Sequence, residues 1–262
     1  MSRTICRFLS GTNGEASYGL IEDANVYRVS AAHIFDAALA PAKHVEGFAL
    51  SEVKLLAPVA PSKIVCVGRN YKDHAAELGN PMPDEPLLFL KPPSSVVGHR
   101  EAIELPSVSS RVEHEGELGV VIGRHARRLS DSENPLDYVL GYTCVNDVTA
   151  RDLQRRDVQF TRAKSFDTFC PVGPYVVGGV DPFDLQVETR VNGQVRQRGR
   201  TSAMAFPVSY LIRYISHIMS LEPGDLISTG TPAGVGPLSD GDVVEVEVEH
   251  VGLLGNPVRI GN

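Results

Sequence analysis

Residues 111–123, RVEHEGELGVVIG, carry the pattern on which the fold and the candidate site both depend. Side chains alternate between the two faces of a β-strand, which predicts that Glu113, Glu115 and Glu117 project to one side. The apolar run 120–122 then predicts a strand that is buried on both faces. Buried carboxylates need compensating positive charge, and hard divalent cations prefer oxygen ligands, so the pattern indicates a candidate metal site.

The alternation by itself leaves a second interpretation open, a strand with one solvated face. Residues 243–251, VVEVEVEHV, place Glu245, Glu247 and Glu249 at the same spacing. Spacing alone therefore does not distinguish a metal site from a solvated face, and the neighbouring motifs have to decide between them.

The composition is that of an ordinary globular protein, with 42% apolar and 22% charged residues in a chain of 262. Its net charge of −7 argues against a nucleic-acid surface, which needs a basic stripe. No apolar run has the length of a membrane span, and the N-terminus does not read as a signal peptide. The four cysteines are widely separated, which predicts buried free thiols in a reducing cytoplasm.

The chain divides at a connection marked by Pro58 and Pro61. Residues 1–57 predict a small β domain, which includes a short helix over residues 30–39. Residues 58–262 contain many short β-branched segments, and helices are predicted there only at 150–156 and 207–219. This distribution predicts a β-rich α+β fold, either closed on itself or built from two packed sheets.

His74 and Glu77 lie in GRNYKDHAAE, residues 68–77, directly after a predicted strand. On a helix they share one face, where a carboxylate favours the protonated imidazole and orients the ring as a general base requires. The alternative is an exposed ion pair on a short surface helix.

Four other residues carry possible chemistry, each beside a simpler alternative. Asp147 follows an apolar strand and precedes a helix, where it could be a metal ligand or a helix N-cap. Lys164 could stabilise negative charge on a substrate oxygen or form a surface ion pair. Thr231, in the Gly-rich turn 228–236, could help to hold a small carboxylate or belong to a plain tight turn. Lys91 could face a cavity, although a solvated lysine is common at a strand end.

Taken together, these segments resemble the fumarylacetoacetate hydrolase superfamily. The matching segments appear in family order over roughly residues 60 to 257: VGRNYKDHAAE, FLKPPSS, VEHEGELGVVIG, GYTCVNDVTARDLQ, KSFDTFCPVGP, STGTPAGVG and GDVVEVEVEHVGLLGN. The resemblance implies a small N-terminal β domain at 1–57. It implies a catalytic domain at 58–262, made of mixed rolled β-sheet or β-barrel with few helices and assembled as a homodimer.

The resemblance also implies a set of functional residues. Three carboxylates would bind Mg²⁺ or Mn²⁺: Glu115, Glu117 and Asp147. Three side chains would be catalytic: His74, Glu77 and Lys164. Four would contact substrate: Arg69, Asn70, Gln154 and Thr231. The fumarylacetoacetate hydrolases proper carry a further acidic ligand shortly before the histidine, which VCVGRNY lacks. The resemblance is therefore to the short-form branch, which acts on smaller 2-oxo acids.

The expected function is cleavage of the C3–C4 bond of a small 2-oxo acid, by acylpyruvate hydrolysis or oxaloacetate decarboxylation, through a metal-stabilised enolate. Two alternatives stay open. One is an isomerase or tautomerase of 2-hydroxy-dienoic diacids or oxaloacetate, and the other is a non-catalytic protein that binds such ligands.

Overall fold

The computed structural model describes residues 3–10, 14–30, 34–39 and 47–261. The strands are β1 (Thr4–Ser10), β2 (Ser17–Glu22), β3 (Asn25–Val29), β4 (Gly47–Ala49), β5 (Val53–Leu56), β6 (Ile64–Gly68), β7 (Leu87–Lys91), β8 (Val96–Val97), β9 (Ile103–Leu105), β10 (Val112–His114), β11 (Gly116–Ile122), β12 (Val139–Asn146), β13 (Thr149–Ala150), β14 (Cys170–Val177), β15 (Gln186–Val191), β16 (Gln194–Arg200), β17 (Leu226–Ser228), β18 (Gly236–Pro237), β19 (Val243–Val248) and β20 (Gly252–Ile260). The helices are α1 (Ile34–Leu39), α2 (Lys72–Glu77), α3 (Arg151–Arg156), α4 (Thr161–Lys164) and α5 (Val208–Ile218).

These strands form three sheets. The largest has 12 strands in the order β4-β3-β2-β1-β14-β12-β11-β17-β6-β7, with β5 beside β1 and β8 beside β14. A second sheet has the order β16-β15-β19-β20-β9, and a third joins β13, β10 and β18. Within the described ranges none of the sheets closes into a barrel. The β-rich fold with few helices is confirmed, and packed open sheets replace the closed alternative.

The main core lies between the 12-stranded and the five-stranded sheet, where their inner faces bury a shared apolar cluster. Helix α5 covers this cluster with Val208, Leu211, Ile212 and Ile215. Because these residues recur at the period of an α-helix, they form a single buried stripe. The predicted helices at 150–156 and 207–219 correspond to α3 and α5. None of the helices just named is both long and apolar enough to cross a membrane.

The N-terminal strands continue the largest sheet. Strand β1 pairs antiparallel with β14, with Thr4 opposite Val177 and Ile5 opposite Val176. The predicted boundary at residues 57 and 58 falls between the end of β5 and the start of β6. The helix predicted over residues 30–39 is present as α1, and residues 31–33 lie outside the described ranges.

The stretch 111–123 forms two strands and not the single strand that was expected. Strand β10 ends at His114 and pairs with β13 and β18, whereas β11 begins at Gly116 and pairs with β12 and β17. Glu115 lies at the junction between two sheets. A Cβ on Gly116 would lie 2.0 Å from Thr189 Oγ1, so only glycine fits this crossing.

Candidate active site

Three carboxylates from two separate segments of the chain meet at this junction. One oxygen from each of Glu115, Glu117 and Asp147 can be chosen so that all lie within 4.8 Å of one another. Antiparallel pairing of β11 with β12 places Gly116 opposite Asn146. The backbone N–H of Asp147 then donates to the carbonyl oxygen of Glu115 at 2.8 Å. The sheet therefore fixes the relative positions of the acids, and all three are buried.

Two lysines bind Asp147, one to each carboxylate oxygen. Lys164 Nζ lies 2.5 Å from Asp147 Oδ2 and 2.8 Å from Glu115 Oε2. Lys91 Nζ lies 2.6 Å from Asp147 Oδ1 and 3.1 Å from the carbonyl oxygen of Val148. Lys91 is only 1% exposed and Lys164 only 2%. The solvated Lys91 and the surface ion pair considered for Lys164 are therefore wrong, because strand and helix packing bury both ammonium groups.

Arg151 ties the glutamates of the junction together. Its guanidinium donates to Glu113 Oε2 at 2.6 Å, to Glu115 and to the side-chain oxygen of Gln154. Burial alone would raise the pKa of Glu115, but the charges of Lys164 and Arg151 outweigh it and hold that pKa well below its usual range. Glu115 is thus an anion at any physiological pH.

Glu117 is in the opposite situation. Its carboxylate accepts hydrogen bonds from Ser228 Oγ and from the Gly230 N–H at 2.8 Å, and it makes no ion pair with any described residue. Burial, and then the nearby charge of Asp147, raises the pKa of Glu117 above its usual range. A cation shared by the three acids would remove this repulsion. The oxygen donors fit a hard divalent cation such as Mg²⁺ or Mn²⁺.

The three acids line a cavity of about 230 Å³. Five other residues predicted for the site line it too: Arg69, His74, Gln154, Lys164 and Thr231. Part of its wall is aromatic, with Phe89 and Phe160 packed edge to face at 5.6 Å between ring centroids. The cavity therefore combines a buried anionic cluster with fixed cationic and apolar groups, as small-molecule sites commonly do.

His74 and Glu77 lie on α2 as predicted, but their interaction differs from the expectation. His74 Nδ1 is 3.6 Å from Glu77 Oε2 and forms no hydrogen bond within the described chain. Both oxygens of Glu77 instead lie 3.1 Å from the Gly234 N–H. Burial lowers the pKa of His74, and the charge of Glu77 does not reverse this. The ring is therefore neutral near pH 7, whereas the sequence favoured a protonated one.

Two predicted site residues, Glu77 and Asn70, do not line the cavity. Asn70 is bound to backbone groups instead. Its Nδ2 donates to the carbonyl oxygens of Phe206 at 3.0 Å and Thr229 at 2.7 Å. Its Oδ1 accepts the Phe206 N–H at 2.8 Å. The amide is fully occupied by backbone, so Asn70 supports the Gly-rich turn from behind.

The sequence did not single out three of the buried polar residues around the site: Arg151, Gln197 and Ser228. Arg151 lies in TARDLQ and Ser228 begins STGTPAGVG, so the motifs contained a signal for these two. Gln197 had no such signal, since it lies in a polar strand whose other residues are exposed or half-buried.

Two family models match the chain. Residues 63–259 match the model described as fumarylacetoacetate (FAA) hydrolase C-terminal, and residues 3–58 match the one described as Rv2993c-like, N-terminal. The chain belongs to the fumarylacetoacetate hydrolase family. Members of this family are generally dependent on divalent metals, in agreement with the buried acidic cluster.

Similar proteins in the family include enzymes with named reactions. Oxaloacetate tautomerase YisK of Bacillus subtilis is 46% identical over 226 residues, which cover 80% of this chain and 75% of that protein. An uncharacterized protein of Archaeoglobus fulgidus is 57% identical over 207 residues, covering 79% of this chain and 82% of its own. The crystal structure of 2-hydroxyhepta-2,4-diene-1,7-dioate isomerase from Mycobacterium marinum has a TM-score of 0.88 at 43% identity and covers 99% of both chains.

Proposed function

We propose that this protein is a divalent-metal-dependent tautomerase that interconverts the keto and enol forms of oxaloacetate. The observation that carries the proposal is His74, a buried neutral imidazole that lines the same cavity as the acidic cluster. Tautomerisation needs one such proton acceptor and no activated water. The similarity to oxaloacetate tautomerase YisK supports the same reaction.

The sequence favours C3–C4 cleavage, and the geometry supports the hydrolytic form of that reaction less well. Hydrolysis of an acylpyruvate needs a base that activates water, and His74 oriented by Glu77 would be that base. Glu77 lies beyond hydrogen-bonding distance of the His74 ring and accepts a backbone N–H of the Gly-rich turn. The assisting carboxylate is therefore engaged elsewhere, while the imidazole alone is sufficient for proton transfer.

The chain's own groups account for the charges of the reaction. Glu115, Glu117 and Asp147 would hold the Mg²⁺ or Mn²⁺ ion, which when bound supplies a Lewis acid for the C2 carbonyl. Burial opposes the charged form of Lys164, but Asp147 and Glu115 outweigh it and raise the pKa of this lysine above its usual range. Lys164 therefore stays protonated and stabilises negative charge on the substrate oxygen.

His74 would move the proton. The neutral ring accepts the proton that leaves C3, and the electron pair of that C–H bond becomes the C2–C3 double bond of the enol. The imidazolium then donates a proton to the C2 oxygen, so that no proton is gained or lost overall. Because the C3–C4 bond is not broken in this sequence, neither CO₂ nor a carboxylic acid is released.

Two further arginines favour a substrate with a second carboxylate. Arg69 and Arg155 line the cavity, and neither forms an ion pair with a described residue. Arg151, in contrast, donates to Glu113, Glu115 and Gln154. The free guanidinium groups suit the distal carboxylate of oxaloacetate, which acetylpyruvate lacks.

The test follows enol oxaloacetate by its ultraviolet absorbance, with pyruvate release from oxaloacetate and from acetylpyruvate measured in parallel. We expect metal-dependent loss of the enol without pyruvate. In His74→Ala the rate should fall by about 10²–10⁴-fold, the usual contribution of a positioned base, while Mg²⁺ still binds. Pyruvate formation as fast as enol loss would restore the cleavage reaction. Absence of both activities together with absence of Mg²⁺ affinity would favour a non-catalytic binding protein.

A further inference from the structure

The Gly-rich turn 228–236 is docked against β16 of the five-stranded sheet. A Cβ on Gly199 of β16 would lie 2.6 Å from the Pro232 side chain, and one on Gly234 would lie 2.1 Å from the carbonyl oxygen of Arg196. The two segments thus approach as closely as glycine permits. A strand that carries no predicted site residue therefore supports the turn that carries Thr231.

Gln197 occupies the centre of this contact and is the only buried residue of β16, a strand that the structure describes completely. Its Oε1 lies 3.0 Å from the Gly116 N–H donor and 3.0 Å from His114 Nδ1. Its Nε2 lies 2.7 Å from Thr231 Oγ1 and 2.7 Å from the carbonyl oxygen of Pro232. All the hydrogen-bonding capacity of the amide is used.

The orientation of this amide follows from the two backbone groups that it meets. The Gly116 N–H can only donate, so it requires the amide oxygen, and the Pro232 carbonyl can only accept, so it requires the NH₂ group. The NH₂ group must then also donate to Thr231 Oγ1. The same logic places a proton on His114 Nδ1, because Oε1 cannot donate.

The hydroxyl of Thr231 is constrained in turn. It donates its single proton to the carbonyl oxygen of Gly116 at 2.8 Å and accepts from Gln197 Nε2. One lone pair remains on Oγ1, and Thr231 lines the cavity. Any hydrogen bond between this hydroxyl and a ligand is therefore one in which Oγ1 accepts and does not donate.

We propose that Gln197 is a positioning residue that fixes Thr231 as a hydrogen-bond acceptor, so that the site favours ligands with a hydroxyl group at this point. The enol tautomer of a 2-oxo acid carries such a hydroxyl where the keto form has a carbonyl oxygen. The link to the enol rests on the proposed function, whereas the polarity of Thr231 does not. Gln197 itself does not line the cavity and acts through Thr231.

The test measures binding by calorimetry to the Mg²⁺-loaded full chain, so it needs no turnover. Glycolate and oxalate are two-carbon acids of similar size, but glycolate has an alcohol hydroxyl where oxalate has a second carboxylate. We expect Gln197→Met to weaken glycolate binding about tenfold, equivalent to roughly 1.4 kcal/mol, and to change oxalate binding less than about twofold. Thr231→Val, which removes only the hydroxyl, should have the same effect.

Because Gln197 acts through Thr231, the double variant should bind glycolate no more weakly than either single variant. The control is Gln194→Met, an exposed glutamine of the same strand, which should match the wild type with both ligands. If Gln197→Met does not fold, Thr231→Val still tests the polarity.

The proposal would be overturned if Gln197→Met weakened oxalate binding as much as glycolate binding, or if the losses of the two single variants added in the double variant. It would also be overturned if all variants bound glycolate equally, or if the wild type did not bind glycolate. Failure of the proposed reaction is a separate result. A wild type that binds glycolate as expected but does not convert enol oxaloacetate would reject the tautomerase and retain the role of Gln197.

Discussion

At the scale of single residues, the site is a buried balance of charges. Four carboxylates and three cationic side chains lie around the cavity with little or no solvent exposure: Glu113, Glu115, Glu117, Asp147, Lys91, Arg151 and Lys164. Each of these acids except Glu117 forms an ion pair with at least one of the positive groups. Because an unpaired buried charge is costly, Glu117 is the acid that either takes up a proton or binds a cation.

The buried Lys91–Asp147 ion pair gives a prediction about stability. In Lys91→Met, Asp147 loses the partner of one oxygen, and breaking a buried pair of this kind typically costs about 3–5 kcal/mol. The free energy of unfolding in urea should fall by that amount. Lys54→Met is the matched control, since Lys54 pairs with Glu101 at 3.2 Å with 60% of its side chain exposed. We expect the control to lose less than about 1 kcal/mol, and equal losses would contradict the buried role of Lys91.

The state of His74 gives a prediction about pH. Burial lowers its pKa, so the neutral base persists to lower pH than that of an exposed histidine. The acid limb of kcat/KM for enol oxaloacetate should therefore lie below about 6.5, the ordinary histidine value. Because the pKa of His74 is lower in the folded chain than in the unfolded chain, protonation favours unfolding. The stability that this group contributes is therefore lost as pH falls. An acid limb at or above 6.5 in a kinetic pH profile would show that the ring is not the base in its buried neutral form.

At the scale of elements, two glutamate-rich stretches of the same period have different surroundings. In 111–123 the glutamates are buried at a junction of two sheets, whereas Glu245, Glu247 and Glu249 in and after β19 are only half-buried, with the valines between them inside. The solvated-face interpretation is thus correct for the second stretch and wrong for the first. Both β11 and β19 have a neighbour on each side within their sheets, so the difference lies in their faces: β11 is buried on both faces, whereas β19 is buried on one.

The turn 228–236 contacts two of the predicted site residues, because the Gly230 N–H donates to Glu117 and the Gly234 N–H donates to Glu77. Gly234 has φ of +103° and no room for a Cβ, whereas Gly241 has φ of +85° with open space around it. Gly241→Ala should cost about 1–3 kcal/mol of unfolding free energy, from backbone strain alone. Gly234→Ala carries the same strain together with the clash, so it should lose more stability and also lose activity.

These two variants are compared by urea unfolding and by the enol assay. Gly241→Ala is the control for backbone strain, because Gly241 does not line the cavity. Full activity in a folded Gly234→Ala protein would show that the reaction does not depend on close packing of the turn against β16.

At the scale of the whole molecule, metal binding and folding should be linked. Glu115 and Glu117 lie at the start of β11, and Asp147 follows its partner strand β12, so the three acids meet only in the folded chain. The ion therefore binds the native state alone. At a concentration one hundred times its dissociation constant, the ion should add about 2.7 kcal/mol to the free energy of unfolding. In a chain of this size that corresponds to a rise in Tm of about 5–10 °C.

Glu117→Gln separates this linkage from general stability. The variant removes the carboxylate that has no cationic partner, so its metal-free form should be at least as stable as the wild type. The rise in Tm with Mg²⁺, measured by calorimetry, should disappear. Glu245→Gln on the solvated strand is the control and should keep the full shift. A metal-dependent rise in Glu117→Gln equal to that of the wild type would remove Glu117 from the ligands.

The family resemblance implies a homodimer and the scattered cysteines predict a reducing cytoplasm, and both stay predictions. Sedimentation velocity of the purified chain would measure the assembly. A monomer at all concentrations would contradict the first of them without affecting the site, because every group described here belongs to one chain.

The sequence by itself determined the β-rich class, the helices α3 and α5, and the three acids that meet at the cavity. Periodicity and motif order express such features locally, since strand alternation and helix stripes depend on neighbours along the chain. Only the tertiary structure decided which glutamates are buried, that Lys91 lies against Asp147, that Asn70 faces backbone and that the His74 ring is neutral. Each of these depends on what packs over a side chain from distant segments, and burial and charge pairing between such segments leave no periodic trace in the sequence.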